Sequence, residues 1–270
     1  MAEKKTKKKN RAIGVFLTLG IIVCVAVMGY CIFRLVSAAF EYKEGEKEYS
    51  SLKKYTTELS GAAEGSTDNQ TALSAESVAR PETVPLQVDF ESLQEINPDI
   101  VGWIYIGALD ISYPVVQGTD NSYYLSRTFE GKSNSAGSIF MEYRNAGDFS
   151  DCHTILYGHN MKNQTMFGKL RLLEEQNRYG DDPYFWILTP DHNYRYEMFS
   201  LQVTAADSEV YTLFTNPGQE YVNYLNARWN ESEVATPYMD FTENSKIITL
   251  STCTSNDSER FVVQGVQISG

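Results

Sequence analysis

The amino-acid sequence predicts a mixed, mainly β fold: a closed barrel of about eight strands with inserted helices, preceded by a transmembrane helix. Eight short runs rich in β-branched and aromatic residues follow one another after residue 100, separated by turn residues. Strands and helices do not alternate regularly, which favours a barrel over a doubly wound sheet. Near the N-terminus, an uncharged stretch is long enough to cross a membrane.

The N-terminal region has the pattern of a basic tail followed by one membrane span. Six basic residues lie among the first eleven, and residues 12–33 carry no charge. By the positive-inside rule, residues 1–11 face the cytoplasm, residues 12–36 cross the cell membrane once, and the rest of the chain is extracellular. A cleaved signal peptide is the alternative, because residues 37–39 (SAA) are small enough for a cleavage site.

Residues 37–85 are predicted to form a stalk and a flexible linker. Lys and Glu recur at helical spacing in residues 40–59, whereas residues 60–85 have few large apolar side chains. The folded extracellular domain is therefore expected at residues 86–270.

The charge of the chain is divided unevenly between its two parts. Residues 37–270 hold 34 of the 35 acidic residues but only 16 of the 23 basic ones, which is a formal net charge of −18. A domain this acidic is not expected to bind nucleic acid through its overall charge.

Local patterns predict the elements of this domain. Apolar residues within 88–96, with Asp89 as a cap, predict a short helix, and helical spacing recurs at 165–173 and 219–229. The predicted strands are 100–106, 111–116, 137–143, 153–157, 184–188, 194–203, 246–252 and 261–268.

The last two predicted strands bring a thiol and a guanidinium to one rim of the sheet. Cys253 ends the first strand, Arg260 begins the second, and the polar residues 254–259 form the turn between them. A sulfur nucleophile beside a fixed cation suits acyl transfer. Two other interpretations stay open: a lone cysteine is more often a buried core residue, and Cys152 could form a disulfide with Cys253.

The chain has three histidines, and for any single one a surface position or a structural hydrogen bond is the usual role. His159 follows a predicted strand and Gly158, where a side chain can project from the rim of a sheet. His153 opens the same strand, and His192 lies in a predicted hairpin turn. No spacing of histidine, cysteine and carboxylate residues matches a metal site, so neither a metal nor another cofactor is predicted.

Three separated segments resemble the active-site segments of sortases: residues 249–253 (TLSTC), Arg260 at the start of the next strand, and residues 157–161 (YGHNM). The resemblance covers residues 88–269, and the predicted helix 219–229 is similar to the insertion of class B sortases. It implies a sortase-like closed barrel of eight strands and a membrane-anchored cysteine transpeptidase of a Gram-positive cell surface. Further matching segments are 113–117 (YPVVQ), 121–125 (NSYYL) and 143–145 (YRN).

The resemblance also implies roles and partners. Cys253 would attack the carbonyl after threonine in the C-terminal sorting motif of a secreted protein, often related to Asn-Pro-x-Thr-x in class B, and form a thioester. His159 would act as general acid and base, and Arg260 would donate hydrogen bonds to the developing oxyanion or to the substrate backbone. An amine of a peptidoglycan precursor, or a pilin lysine, would accept the acyl group. Ser251, Thr252 and Asn160 are expected to bind substrate.

Other interpretations are kept beside this one. A Cys/His peptidase of the cell wall would share the thiol and the imidazole, but it would not need Arg260 and would release carboxylic acids. A non-enzymatic surface protein would keep Cys253 buried and unreactive. Within the sortases, a pilin polymerase differs from a wall-anchoring enzyme in its acceptor amine.

Overall fold

The computed structural model describes residues 2–59, 83–214 and 217–270. Most of the predicted linker, residues 60–82, lies outside these ranges. The helices are α1 (Ala2–Leu52), α2 (Phe90–Ile96), α3 (Leu172–Glu175), α4 (Arg178–Asp181) and α5 (Gln219–Asn230), with 3-10 turns at Lys53–Tyr55, Gly107–Leu109, Tyr123–Leu125 and Glu209–Tyr211. The strands are β1 (Thr56–Glu58), β2 (Leu86–Val88), β3 (Ile100–Ile106), β4 (Ile111–Val116), β5 (Ile139–Met141), β6 (His153–Tyr157), β7 (Tyr184–Leu188), β8 (Asn193–Ala205), β9 (Ile247–Cys253) and β10 (Glu259–Ser269).

Eight strands close into a barrel, which confirms the predicted fold class. Their order is β10-β8-β7-β3-β4-β5-β6-β9, and β9 pairs with β10 to close the ring. Neighbouring strands are antiparallel except in the pairs β4–β5 and β6–β9, which are parallel. The strand that ends at Cys253 therefore lies between the strand that precedes His159 and the strand that begins just before Arg260.

The inserted helix α5 packs beside β8 through one apolar face, and its prediction over 219–229 is confirmed. Its buried residues Tyr221, Tyr224, Leu225 and Arg228 recur at the three- and four-residue spacing of a helix face. The three apolar ones belong to a core cluster that also includes residues of β8, β9 and β10. This packing fixes the helix against the strands that carry Cys253 and Arg260.

The helix predicted over residues 165–173 is wrong for most of its length. Only Leu172–Glu175 is α-helical, and Gln164 and Met166 before it adopt positive φ angles of 62° and 54°. Met166, Phe167, Leu170 and Leu173 are all fully buried. Successive turns thus place apolar side chains on the core at intervals that resemble those of a helix.

The helical segment Leu19–Tyr55, most of which belongs to α1, is long and apolar enough to cross a membrane. The compact unit that includes the barrel begins at Gly45, whereas the sequence places the start of the folded domain at residue 86. Tyr49 and Leu52 are buried in this unit. Two buried apolar side chains in a polar run are too few to mark a packing face in the sequence.

Candidate active site

One groove of about 380 Å³ is lined by all three predicted catalytic residues, His159, Cys253 and Arg260. In the parallel pair β6–β9, Tyr157 lies opposite Ser251, so His159 and Cys253 each follow that pair by two residues. In the antiparallel pair β9–β10, Arg260 lies opposite Cys253. Strand register therefore brings together an imidazole, a thiol and a guanidinium that lie up to 101 positions apart in the chain.

Hydrogen bonds to two backbone carbonyls hold His159 and the residue before it in place. Its Nε2 lies 2.7 Å from the Leu125 carbonyl oxygen, and because a carbonyl only accepts, Nε2 carries the proton of this hydrogen bond. The preceding Gly158 N–H donates to the Ser251 carbonyl (3.1 Å). A Cβ at Gly158 would lie 2.7 Å from the Phe167 ring, so glycine allows the chain to pass close to the core just before His159.

Cys253 is half-buried at the end of β9, and its segment is tied to that of His159. The side-chain amide of Asn160 donates to the Cys253 carbonyl oxygen (2.9 Å). Asn160 does not line the groove. Cys152 and Cys253 are both free thiols, and the Cys152 sulfur donates to the Phe214 carbonyl (3.1 Å) instead of pairing with Cys253.

The Arg260 guanidinium is fixed by carbonyl oxygens of its own turn. Its Nη1 donates to the carbonyls of Asp257 and Glu259, both at 2.8 Å. Within the described part of the chain, Nε and Nη2 have no hydrogen-bond partner, so these donors are available to a ligand in the groove.

A family model for the sortase domain matches residues 104–268. The chain is 36% identical over 180 residues to sortase B of Listeria monocytogenes, an alignment that covers 66% of this chain and 73% of that protein. This chain belongs to the sortase family. Sortases are transpeptidases, so the chain is an enzyme of that type.

Solved sortase B structures support the same class. Sortase B from Bacillus anthracis in complex with AAEK1 matches with a TM-score of 0.68 and 29% identity, over 86% of this chain and 99% of that one. The Staphylococcus aureus sortase B–substrate complex matches with a TM-score of 0.62 and 34% identity, over 67% of this chain and 84% of that one. The predicted class B assignment is therefore confirmed.

In this sortase, Ser251 and Thr252 line the groove but expose only 3% and 2% of their surface. The Ser251 hydroxyl lies 2.9 Å from the hydroxyl of Tyr211, which forms part of the groove wall, and burial raises the pKa of Tyr211. The Thr252 hydroxyl is buried and has no partner among the described residues. The contact with Ser251 therefore fixes the position of Tyr211 in the wall of the groove.

A buried carboxylate at the groove is the main feature that the sequence analysis missed. Glu142 is 1% exposed and accepts hydrogen bonds from Arg144 Nε (2.6 Å), Asn121 Nδ2 (2.6 Å) and the Tyr157 hydroxyl (3.0 Å). Burial alone would raise the pKa of Glu142, but these hydrogen bonds outweigh it and hold the pKa below its ordinary value. All four residues line the groove, so the ionised Glu142 fixes one of its walls.

His153 is buried beside Tyr224 of α5 and supports the groove from below. Its Nδ1 donates to the Thr212 carbonyl (2.8 Å), next to Tyr211 of the groove wall, and its Nε2 lies 2.8 Å from the Thr249 hydroxyl. Gln264 Nε2 donates to the same hydroxyl oxygen (2.9 Å). The Thr249 hydroxyl therefore donates its own proton to Nε2 of His153. This network suits a neutral imidazole, and burial lowers the pKa of His153 to about 4.

We expect the free energy of unfolding to fall as the pH drops from about 6.5 to about 4, in part because of His153. In that window the unfolded chain binds a proton at this histidine and the native state does not, so acidification favours unfolding by up to about 3 kcal/mol. Urea denaturation near pH 7 and near pH 5 measures the effect. His153→Gln should reduce this pH dependence and exposed His192→Gln should leave it unchanged; an unaltered dependence in His153→Gln would contradict the assignment.

Proposed function

We propose that this sortase cleaves a C-terminal sorting motif of a secreted protein after threonine, through a thioester on Cys253, and transfers the acyl group to an amine of a cell-wall precursor. The observation that supports it is the convergence of Cys253, His159 and Arg260 on one groove through two strand pairings. Each of the three supplies a different requirement of acyl transfer: a nucleophile, a proton carrier and a donor for an oxyanion.

In the first half-reaction, the Cys253 thiolate forms the C–S bond at the threonine carbonyl carbon, and the carbonyl electron pair moves onto its oxygen. Arg260 donates hydrogen bonds to that oxygen through the nitrogens that its own turn does not occupy. When the C–N bond breaks, the leaving amine takes a proton from the His159 imidazolium. Because Nε2 is held by the Leu125 carbonyl, Nδ1 is the nitrogen that gives up this proton.

In the second half-reaction, an amine attacks the thioester carbon. His159, now neutral, takes a proton from the attacking nitrogen, and the Cys253 thiolate leaves as the amide forms. Arg260 stabilises the oxyanion of this step in the same position. One set of residues thus serves both halves, and the free enzyme is regenerated.

The membrane anchor fits these substrates. A membrane span at the N-terminus with the catalytic domain outside the cell would keep the enzyme near secreted proteins and lipid-linked precursors. The membrane would then act as a further partner that raises the local concentration of both substrates.

The test uses the full-length protein in detergent micelles with peptides carrying Asn-Pro-x-Thr-x or Pro-Pro-x-Thr-Gly motifs and a primary amine such as triglycine. Mass spectrometry should find cleavage after threonine, an acyl adduct on Cys253 and an amide product that grows with amine concentration. Acid product alone, even at saturating amine, would instead identify a Cys/His peptidase. A pilin lysine peptide that outcompetes cell-wall amines would identify a pilin polymerase.

A further inference from the structure

The last turns of α1 reach the loop that supports His159. Tyr49 is 7% exposed, and its hydroxyl donates to the Gly137 carbonyl (2.6 Å). The same hydroxyl lies 3.1 Å from Ser138 Oγ and accepts a hydrogen bond from the Phe129 N–H (3.3 Å). One phenol therefore joins three points of residues 125–138, and it does so from within the compact unit that begins at Gly45.

That loop is in direct contact with the imidazole. The Leu125 carbonyl oxygen is the partner of His159 Nε2, at 2.7 Å. Gly137 has a φ of +57°, and a Cβ built on it would lie 2.7 Å from the Tyr124 carbonyl and 3.1 Å from Cδ2 of His159. The backbone at Gly137 therefore packs against the ring of His159 on one side. On its other side it packs against the segment whose carbonyl accepts the hydrogen bond of His159.

The ring of Tyr49 also reaches the other side of the His159 loop. It packs edge-on against Tyr113, with ring centroids 5.4 Å apart. The Tyr113 hydroxyl accepts a hydrogen bond from the Met166 N–H (3.2 Å), and Met166 forms a β-bridge with Asn160 next to His159. Tyr49 therefore contacts the supports on both flanks of the imidazole.

Glu48 gives this helix end a second anchor on the same loop. Its carboxylate, 5% exposed, accepts hydrogen bonds from the Glu130 N–H and the Thr128 hydroxyl, both at 3.0 Å. Lys132 Nζ lies 3.6 Å from the same carboxylate. A buried carboxylate with this set of partners holds the loop in one position.

We propose that Tyr49 is a positioning residue for His159, and that the end of the N-terminal helix is therefore part of the support of the active site. It acts through Gly137 and through Tyr113, since Tyr49 itself does not line the groove. The inference rests on the proposed role of His159 in proton transfer. Proton transfer depends steeply on geometry, so a small displacement of the ring lowers the rate of the chemical step more than it lowers substrate binding.

The test compares Tyr49→Phe with Tyr55→Phe in the full-length protein in detergent micelles. Phenylalanine keeps the ring of Tyr49 but removes the hydroxyl that binds Gly137, whereas Tyr55, just beyond the same helix, has no such contact with the loop. We expect Tyr49→Phe to lower kcat roughly three- to tenfold with little change in KM, and to shift the acidic limb of the kcat/KM pH profile. Tyr55→Phe should match the wild type.

A second readout does not depend on turnover. Because the chain has three histidines, labelling with ¹³Cε1-histidine gives three NMR signals, and His159→Gln identifies one of them. Tyr49→Phe should change the chemical shift of the His159 signal, and Glu48→Gln should do so in the same way, whereas exposed Glu44→Gln should not.

The outcomes separate this inference from the proposed function. If the wild type transfers no peptide, the proposed function fails, and the His159 signal still tests the positioning role. If Tyr49→Phe lowers only the thermal midpoint, while kcat, the pH profile and the His159 signal match those of Tyr55→Phe, its role is merely structural and the inference is overturned.

Discussion

Replacing Cys253 with alanine is expected to lower transpeptidation by about 10⁴-fold or more, the largest effect of any single substitution in this chain. In the proposed mechanism the acyl intermediate is bonded to this sulfur, so without it neither half-reaction has a route through a thioester. Mass spectrometry of the amide product measures the loss, and intact-mass analysis should show that the acyl adduct of the wild type is absent.

Cys152→Ala is the matched control for that variant. The Cys152 thiol donates to the Phe214 carbonyl and packs beside the core cluster of α5, away from the groove. Its loss should cost about 1 kcal/mol of stability and leave kcat within about twofold of the wild type. An adduct that maps to Cys152, or activity that survives Cys253→Ala, would refute the assignment of the nucleophile.

The part of the site that the sequence predicts is the part that lies on a hairpin. Cys253 ends β9 and Arg260 is the second residue of β10, and a short turn places such residues at opposite positions in an antiparallel pair. The position of His159 could not be derived in that way. It depends on β6 lying parallel to β9, a pairing of strands more than 90 residues apart that no local pattern specifies. Only the resemblance of residues 157–161 to the sortases pointed to this histidine.

Some of the groups that support the site lie in segments that resemble sortases (residues 121–125, 143–145 and 157–161), but no local pattern in the sequence indicates how they pack. Glu142 is a single acidic residue after a short strand, and only the fold brings Asn121, Arg144 and Tyr157 around it. Tyr49 lies in a polar helical segment that has the composition of a solvated stalk. Buried polar contacts between distant segments depend on tertiary structure, whereas periodicity reports only which face of an element is apolar.

Arg260→Lys is expected to lower kcat by about 10²- to 10³-fold with a much smaller change in KM. Nη1 of Arg260 is occupied by the carbonyls of Asp257 and Glu259. The other guanidinium nitrogens are the proposed donors for the oxyanion. Lysine keeps the charge, but its single nitrogen cannot hold the turn and also reach the oxyanion. Loss of one oxyanion donor costs about 3–4 kcal/mol in the transition state, which corresponds to that range of rates.

Single-turnover kinetics distinguishes this role from substrate binding. If Arg260 acts on the oxyanion, the variant should form the Cys253 thioester slowly even at saturating peptide, and the amine should also release it slowly, because both steps pass through the same charged oxygen. Arg171→Lys, outside the groove, should leave both rates within about twofold of the wild type. A rise in KM with unchanged thioester formation would instead make Arg260 a residue that binds the peptide backbone, and the donor for the oxyanion would then have to be another group in the groove.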